Sequence, residues 1–106
     1  MRDFYEKTTK AFDVEIRVNN LEPDITADAV SAIFKTNKSD LDVNAVITAN
    51  ADVTTSGDTG IAEFTLTVAQ TTVTPALLYY EIRWTTGTDV YILESSSVTV
   101  LDRIYD

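Results

Sequence analysis

Residues 77–94 read LLYYEIRWTTGTDVYILE, and this stretch decides the fold. Over 77–85, Leu78, Tyr80, Ile82 and Trp84 fall on one face, while Leu77, Tyr79, Glu81 and Arg83 fall on the other. A period of two with one apolar face marks a strand laid against a core. Thr85-Thr86-Gly87-Thr88-Asp89 reads as a hairpin loop, and Val90 to Glu94 as the antiparallel return. On this reading Trp84 belongs to the core, and Tyr91 joins Tyr79 across the hairpin on the opposite face.

The same alternation extends upstream. Pro75 cannot donate to a ladder, so it marks the entry to the 77–85 strand. Residues 69–74 fit a single helical turn. Residues 60–68, GIAEFTLTV, alternate with Ala62, Phe64, Leu66 and Val68 inward, after the turn Ser56-Gly57-Asp58-Thr59-Gly60. AVITA at 45–49 is a short strand, and 52–55 adds another short strand or an edge. Residues 37–44 are a polar, acidic loop. Residues 29–36, AVSAIFKT, read as a strand with Val30, Ala32 and Phe34 on one face. A helix over 26–34 capped by Asp28 competes, but the β-branched residues that follow favour the strand. Residues 19–28 form a connection with Leu21 and Ile25 tucked beneath it. Phe12, Val14, Ile16 and Val18 alternate with Asp13, Glu15 and Arg17, giving a half-buried strand with a charged outer face. Residues 1–10 are polar and read as a loose arm or an edge segment. Downstream, Ser95-Ser96-Ser97 interrupts the pattern as a bulge or a change of sheet, and 98–104, VTVLDRI, is the last strand.

Composition agrees. The 106 residues allow a single domain over 1–106. They include 17 Thr, 11 Val and 8 Ile, side chains that suit a pleated surface. About seven strands spaced near ten residues apart indicate an all-β, immunoglobulin-like sandwich of antiparallel strands. The absence of Cys and His excludes disulfides, Cys or His metal sites, thiol nucleophiles and His-dependent triads. Net charge is −9, and no basic residue lies between Lys38 and Arg83. Such a surface repels phosphate backbones and anionic lipids, so neither nucleic acid nor membrane is an expected partner. The charged N-terminus lacks the apolar region of a secretory signal, and no apolar run is long enough to span a bilayer. Asn37-Lys38-Ser39 matches the glycosylation pattern, which carries no weight without such a signal.

The candidate constellations are weak. Asp40, Asp42 and Asn44 have the spacing that opens a Ca²⁺ loop, but Ala45 and Ala51 stand where the pattern needs Gly and Glu. Loop solvation is the better reading, with Asp52 or Asp58 as possible help for a weak site. Seventeen acidic residues give many carboxylate pairs, and nothing singles one out for acid–base work. Ser95, Ser96 and Ser97 have no His, and a Ser/Lys pair is unsupported. No catalytic, cofactor-binding or metal residue is assigned, and no enzyme is expected. Tyr79, Tyr80, Trp84 and Tyr91 suggest sugar stacking only if they form an outward row, and Tyr80 and Trp84 have inward parity. Tyr80 is also placed to bond back to the backbone of the 74–77 corner, as a tyrosine corner does.

The order of parts carries a resemblance. A charged first strand is followed by ITADAVSAIFK, an acidic loop, GIAEFTLTVAQTTVTPALLYYEIRW, a short hairpin and SVTVLDR. Gly60, Phe64 to Thr67, Thr71 to Pro75 and Tyr79 to Ile82 take the places of the family's turn Gly, F-x-L-T strand, Thr/Pro stretch and Y-Y-E-I-like strand. Across 12–103 this resembles the small immunoglobulin-like domains of tailed-phage and prophage virion proteins, such as the N-terminal domain of the phage baseplate upper protein. The resemblance implies a non-catalytic assembly module of a tail, baseplate or neck, in the virion or in host cytoplasm before assembly. Its partners would be other virion or prophage proteins, or further copies in a homo-oligomer. That family usually continues into a longer chain, so these 106 residues would act as a subunit or adaptor. Docking is expected at the outer strands 12–18 and 98–104, whose Asp13, Glu15, Arg17, Asp102 and Arg103 restrain uncontrolled pairing. The alternative is a carbohydrate-binding or adhesive module.

Overall fold

The computed structural model describes residues 1–103. Seven strands lie among them: β1 (Phe4–Tyr5), β2 (Lys10–Glu15), β3 (Ala29–Lys35), β4 (Ile47–Asn50), β5 (Ile61–Leu66), β6 (Leu77–Thr86) and β7 (Asp89–Leu101). A single-turn helix, α1 (Val68–Thr71), precedes β6. The strands form a five-stranded sheet, in the order β1-β7-β6-β3-β4, and a two-stranded sheet of β2 and β5. The all-β expectation holds. The uniformly antiparallel one does not, because β1 runs parallel to β7, with Phe4 opposite Val100.

Alternation builds the core. Val30, Ala32 and Phe34 of β3, Leu78, Tyr80 and Ile82 of β6, and Val98 and Val100 of β7 are buried together with Ala62, Phe64 and Leu66 of β5. Fully burying a side chain such as Phe34 or Phe64 contributes about 2–3 kcal/mol. Residues 29–35 pair with β6 along their length, so burial on a sheet overrides the local helix signal of 26–34.

Residues 1–10 are an edge segment and not a loose arm. Phe4 is buried and meets Phe34 edge-on at 6.4 Å. Lys7 N–H donates to Thr71 C=O at 3.1 Å, and Thr71 Oγ1 donates to Thr8 C=O at 2.6 Å. The alternation of 12–18 stops at Ile16. Val18 and Leu21 bond each other's backbone around Asn19 and Asn20, both in the left-handed region, and both apolar side chains are exposed. Ile25 is buried as expected, and Leu21 is not. Val68 also faces outward, because Thr67 caps α1 and ends the pleat. Asp52 forms one bridge to Glu63, which joins the end of β4 to the two-stranded sheet.

The hairpin corrects two further expectations. Thr86 pairs with Asp89, so the loop is Gly87-Thr88, with Gly87 at φ +60. That register sets Tyr91 opposite Trp84, their rings 5.3 Å apart, and Ser97 opposite Tyr79. Trp84 is half-buried at the core margin, and its Nε1–H donates to Asp28 Oδ2 at 2.9 Å. The three serines do not break the strand. The irregularity comes earlier, where pairing passes from Arg83–Ile92 to Ile82–Glu94 and Leu93 is the extra residue. The last strand ends at Leu101, and Ile104 lies outside the described residues. Among the described residues no helix is long and apolar enough to cross a membrane.

Candidate functional site

The outer face of β3, β6 and β7 carries a cleft of about 440 Å³. Register explains its lining. Lys35, Tyr79 and Ser97 lie in one cross-strand row, and Ile33, Glu81 and Ser95 in the next. Lys38 Nζ sits 5.0 Å from the centre of the Tyr79 ring, within cation–π reach. Asp42 binds Lys35 Nζ at 2.7 Å and Arg83 by two bonds at 2.7 and 3.1 Å. Hydrogen bonds from Arg83 first, and from Lys35 second, hold the Asp42 carboxyl well below the usual carboxylate range. Hydrogen bonds to Asp42 and Glu81 raise Arg83 in turn.

Asp40 and Asp42, which open the Ca²⁺-loop spacing, turn to different partners. Asp42 is committed to two cations, and Asp40 accepts from Thr36 and the Asn37 N–H. Among the described residues no group of three or more acidic side chains is arranged to hold a metal ion. Ser95 and Ser97 do share the cleft with Lys35, but Lys35 also donates to the Asp40 C=O at 2.7 Å. The Lys35 ammonium is thus directed at a carboxylate and a carbonyl on the 37–44 loop.

Tyr80 is not a tyrosine corner. Its hydroxyl donates to Glu94 Oε2 at 2.5 Å and accepts from the Met1 amino group at 3.3 Å. Burial, and then the bond to Glu94, push its phenol up to about 12.

The remaining candidates are sheet edges. β1 reaches only Val100 and Leu101, so the outer edge of β7 from Asp89 onward has no partner strand among the described residues. Val90, Tyr91 and Ile92 on it are 56, 49 and 52% exposed. The expected docking edge at 98–104 is thus covered by β1 at Val100 and Leu101, and the longer free stretch lies earlier on the same strand. The second free edge belongs to β2. Beside it a slot of about 540 Å³ opens between the two sheets, with Phe12, Val14, Ile82 and Leu93 in its wall and Asp13 and Glu94 at its rim.

Comparison with protein-family models, with curated proteins and with solved structures gave no match to this chain. The aromatic residues singled out from sequence fall apart: Tyr79 is on the outer face, and Trp84 and Tyr91 share the other. The Lys35–Asp42–Arg83 network went unseen. Its only sequence trace is the long stretch without basic residues, whose two flanks the fold brings together.

Proposed function

We propose that this chain is a non-catalytic structural module of a phage or prophage particle, from its tail, baseplate or neck. It works by protein–protein docking through the edges of an immunoglobulin-like sandwich. Strand order supports the fold reading. β2 with β5 takes the place of that fold's B and E strands, and β3, β6 and β7 take those of C, F and G.

The unpaired edge of β7 carries the reading. Free edges are normally blunted by charge, and the run from Val90 to Leu93 has none. Three exposed apolar residues on an open ladder fit a surface completed by another subunit. In this setting the chain resides in the virion, or in host cytoplasm before assembly.

Mass spectrometry of particles purified from the source cells tests this. The chain is expected at a fixed ratio to the tail proteins, and Ile92→Lys is expected to be lost from the particles while melting like the wild type. Absence of the wild-type chain from particles overturns the proposal. The carbohydrate-binding alternative keeps one supporting feature, the single Tyr79 on the cleft floor. Glycan binding that Tyr79→Ala abolishes and Ile92→Lys spares would replace docking with that reading.

A further inference from the structure

We infer that the open edge of β2 and the slot beside it receive a strand from a different protein, with alternating apolar and basic residues. The inference rests on the docking reading but concerns another edge and another partner.

The backbone comes first. Glu63 exchanges both its main-chain bonds with Asp52, at 2.7 and 2.9 Å. It has none left for Asp13, which lies directly opposite on β2. Ile16 N–H, by contrast, donates to Gly60 C=O at 2.8 Å. In an antiparallel pair bonded and non-bonded positions alternate. Ala11, Asp13 and Glu15 therefore turn their N–H and C=O groups away from β5, toward the open side. Three such residues at i, i+2 and i+4 are a template for one added strand.

The side chains specify that strand. Phe12 and Val14 point inward yet remain half-buried, as does Leu93 across the slot. Apolar residues on alternate positions of an incoming strand would cover them. Its other residues would lie beside Asp13 and Glu15, which are exposed. Glu15 is already paired with Arg17, which also reaches Glu22, and Glu94 across the slot has the Met1 amino group at 3.9 Å. Asp13 has no ion pair among the described residues, so a lysine or arginine beside it on the incoming strand completes the charge pattern.

A second copy fits poorly. Pairing all three outward residues of β2 with those of its copy sets Asp13 against Asp13, and like charges directly opposite destabilise a sheet. The charges on this edge exclude self-pairing and admit a basic partner.

The test is a ¹⁵N–¹H titration of the full chain with three capped seven-residue peptides. One alternates lysine and valine. The second has glutamate in place of lysine. The third keeps the lysines but is N-methylated on alternate amides. The lysine–valine peptide is expected to shift amides of Ala11, Asp13 and Glu15. The double variant Asp13→Asn, Glu15→Gln is expected to bind it at least tenfold more weakly with an unchanged melting temperature. Equal binding of the N-methylated peptide would reduce the effect to charge attraction and overturn the inference. So would shifts centred on Tyr79, or none at millimolar peptide. Particle incorporation that depends on Ile92 would survive any of these results, so the two readings fail separately.

Discussion

At the scale of single residues, Gly60 is the least replaceable position of the turn before β5. Its φ is +77, and a Cβ there would lie 2.7 Å from the Ile16 carbonyl oxygen. That oxygen belongs to backbone held by the Ile16–Gly60 bond, so it cannot swing aside. Gly87 also has positive φ, but a Cβ there meets nothing within 4 Å. Gly60→Ala is therefore expected to cost about 2–3 kcal/mol, against about 1 kcal/mol for Gly87→Ala. Urea unfolding at equal slope measures both, and equal losses would show that the Ile16 contact imposes nothing.

At the scale of elements, α1 shows how little sequence a stop signal needs. Thr67 accepts from Gln70 N–H at 3.2 Å, and Gln70 Oε1 accepts from Thr67 N–H at 2.9 Å. This reciprocal cap turns the chain out of β5. Thr67→Ala is expected to lower stability by about 1 kcal/mol, read from the shift in urea midpoint, and Thr67→Ser to restore most of it. The strands with clean alternation were legible: β3, β5, β6 and β2 from Phe12 onward could be read from their apolar positions alone. β1 was not, because one Phe in a polar stretch carries no period, and its partner Val100 is remote in sequence. The hairpin was half legible. TTGTD fits a long loop or a two-residue turn, and the choice between them moves Tyr91 from one face of the sheet to the other. That ambiguity hid which aromatics meet. The slot beside β2 was hidden for a different reason: alternation says which residues turn inward, but not whether a neighbouring strand covers them.

At the scale of the whole molecule, stability should be bounded by ionisation at both ends of the pH range. Hydrogen bonds from Thr55 and Thr54 lower Asp52 to about 2, and Asp42 is lowered too. Depressed carboxylates stabilise the fold above their ordinary value near 3.8 and lose that contribution as pH falls through the folded value. Tyr80 works in the opposite direction. Its phenol ionises near 10 when unfolded and near 12 when folded, so stability falls as pH rises across that window. Urea midpoints across pH should show both slopes, with Tyr80→Phe flattening the alkaline one; an unchanged alkaline slope would assign it elsewhere. The parallel pairing of β1 with β7 has a consequence in time. Phe4 finds Val100 only across nearly the whole chain, and contacts so distant in sequence form slowly because the intervening loop must first close. During synthesis β1 must therefore wait for β7, and Phe4 lacks its Val100 partner until β7 has left the ribosome.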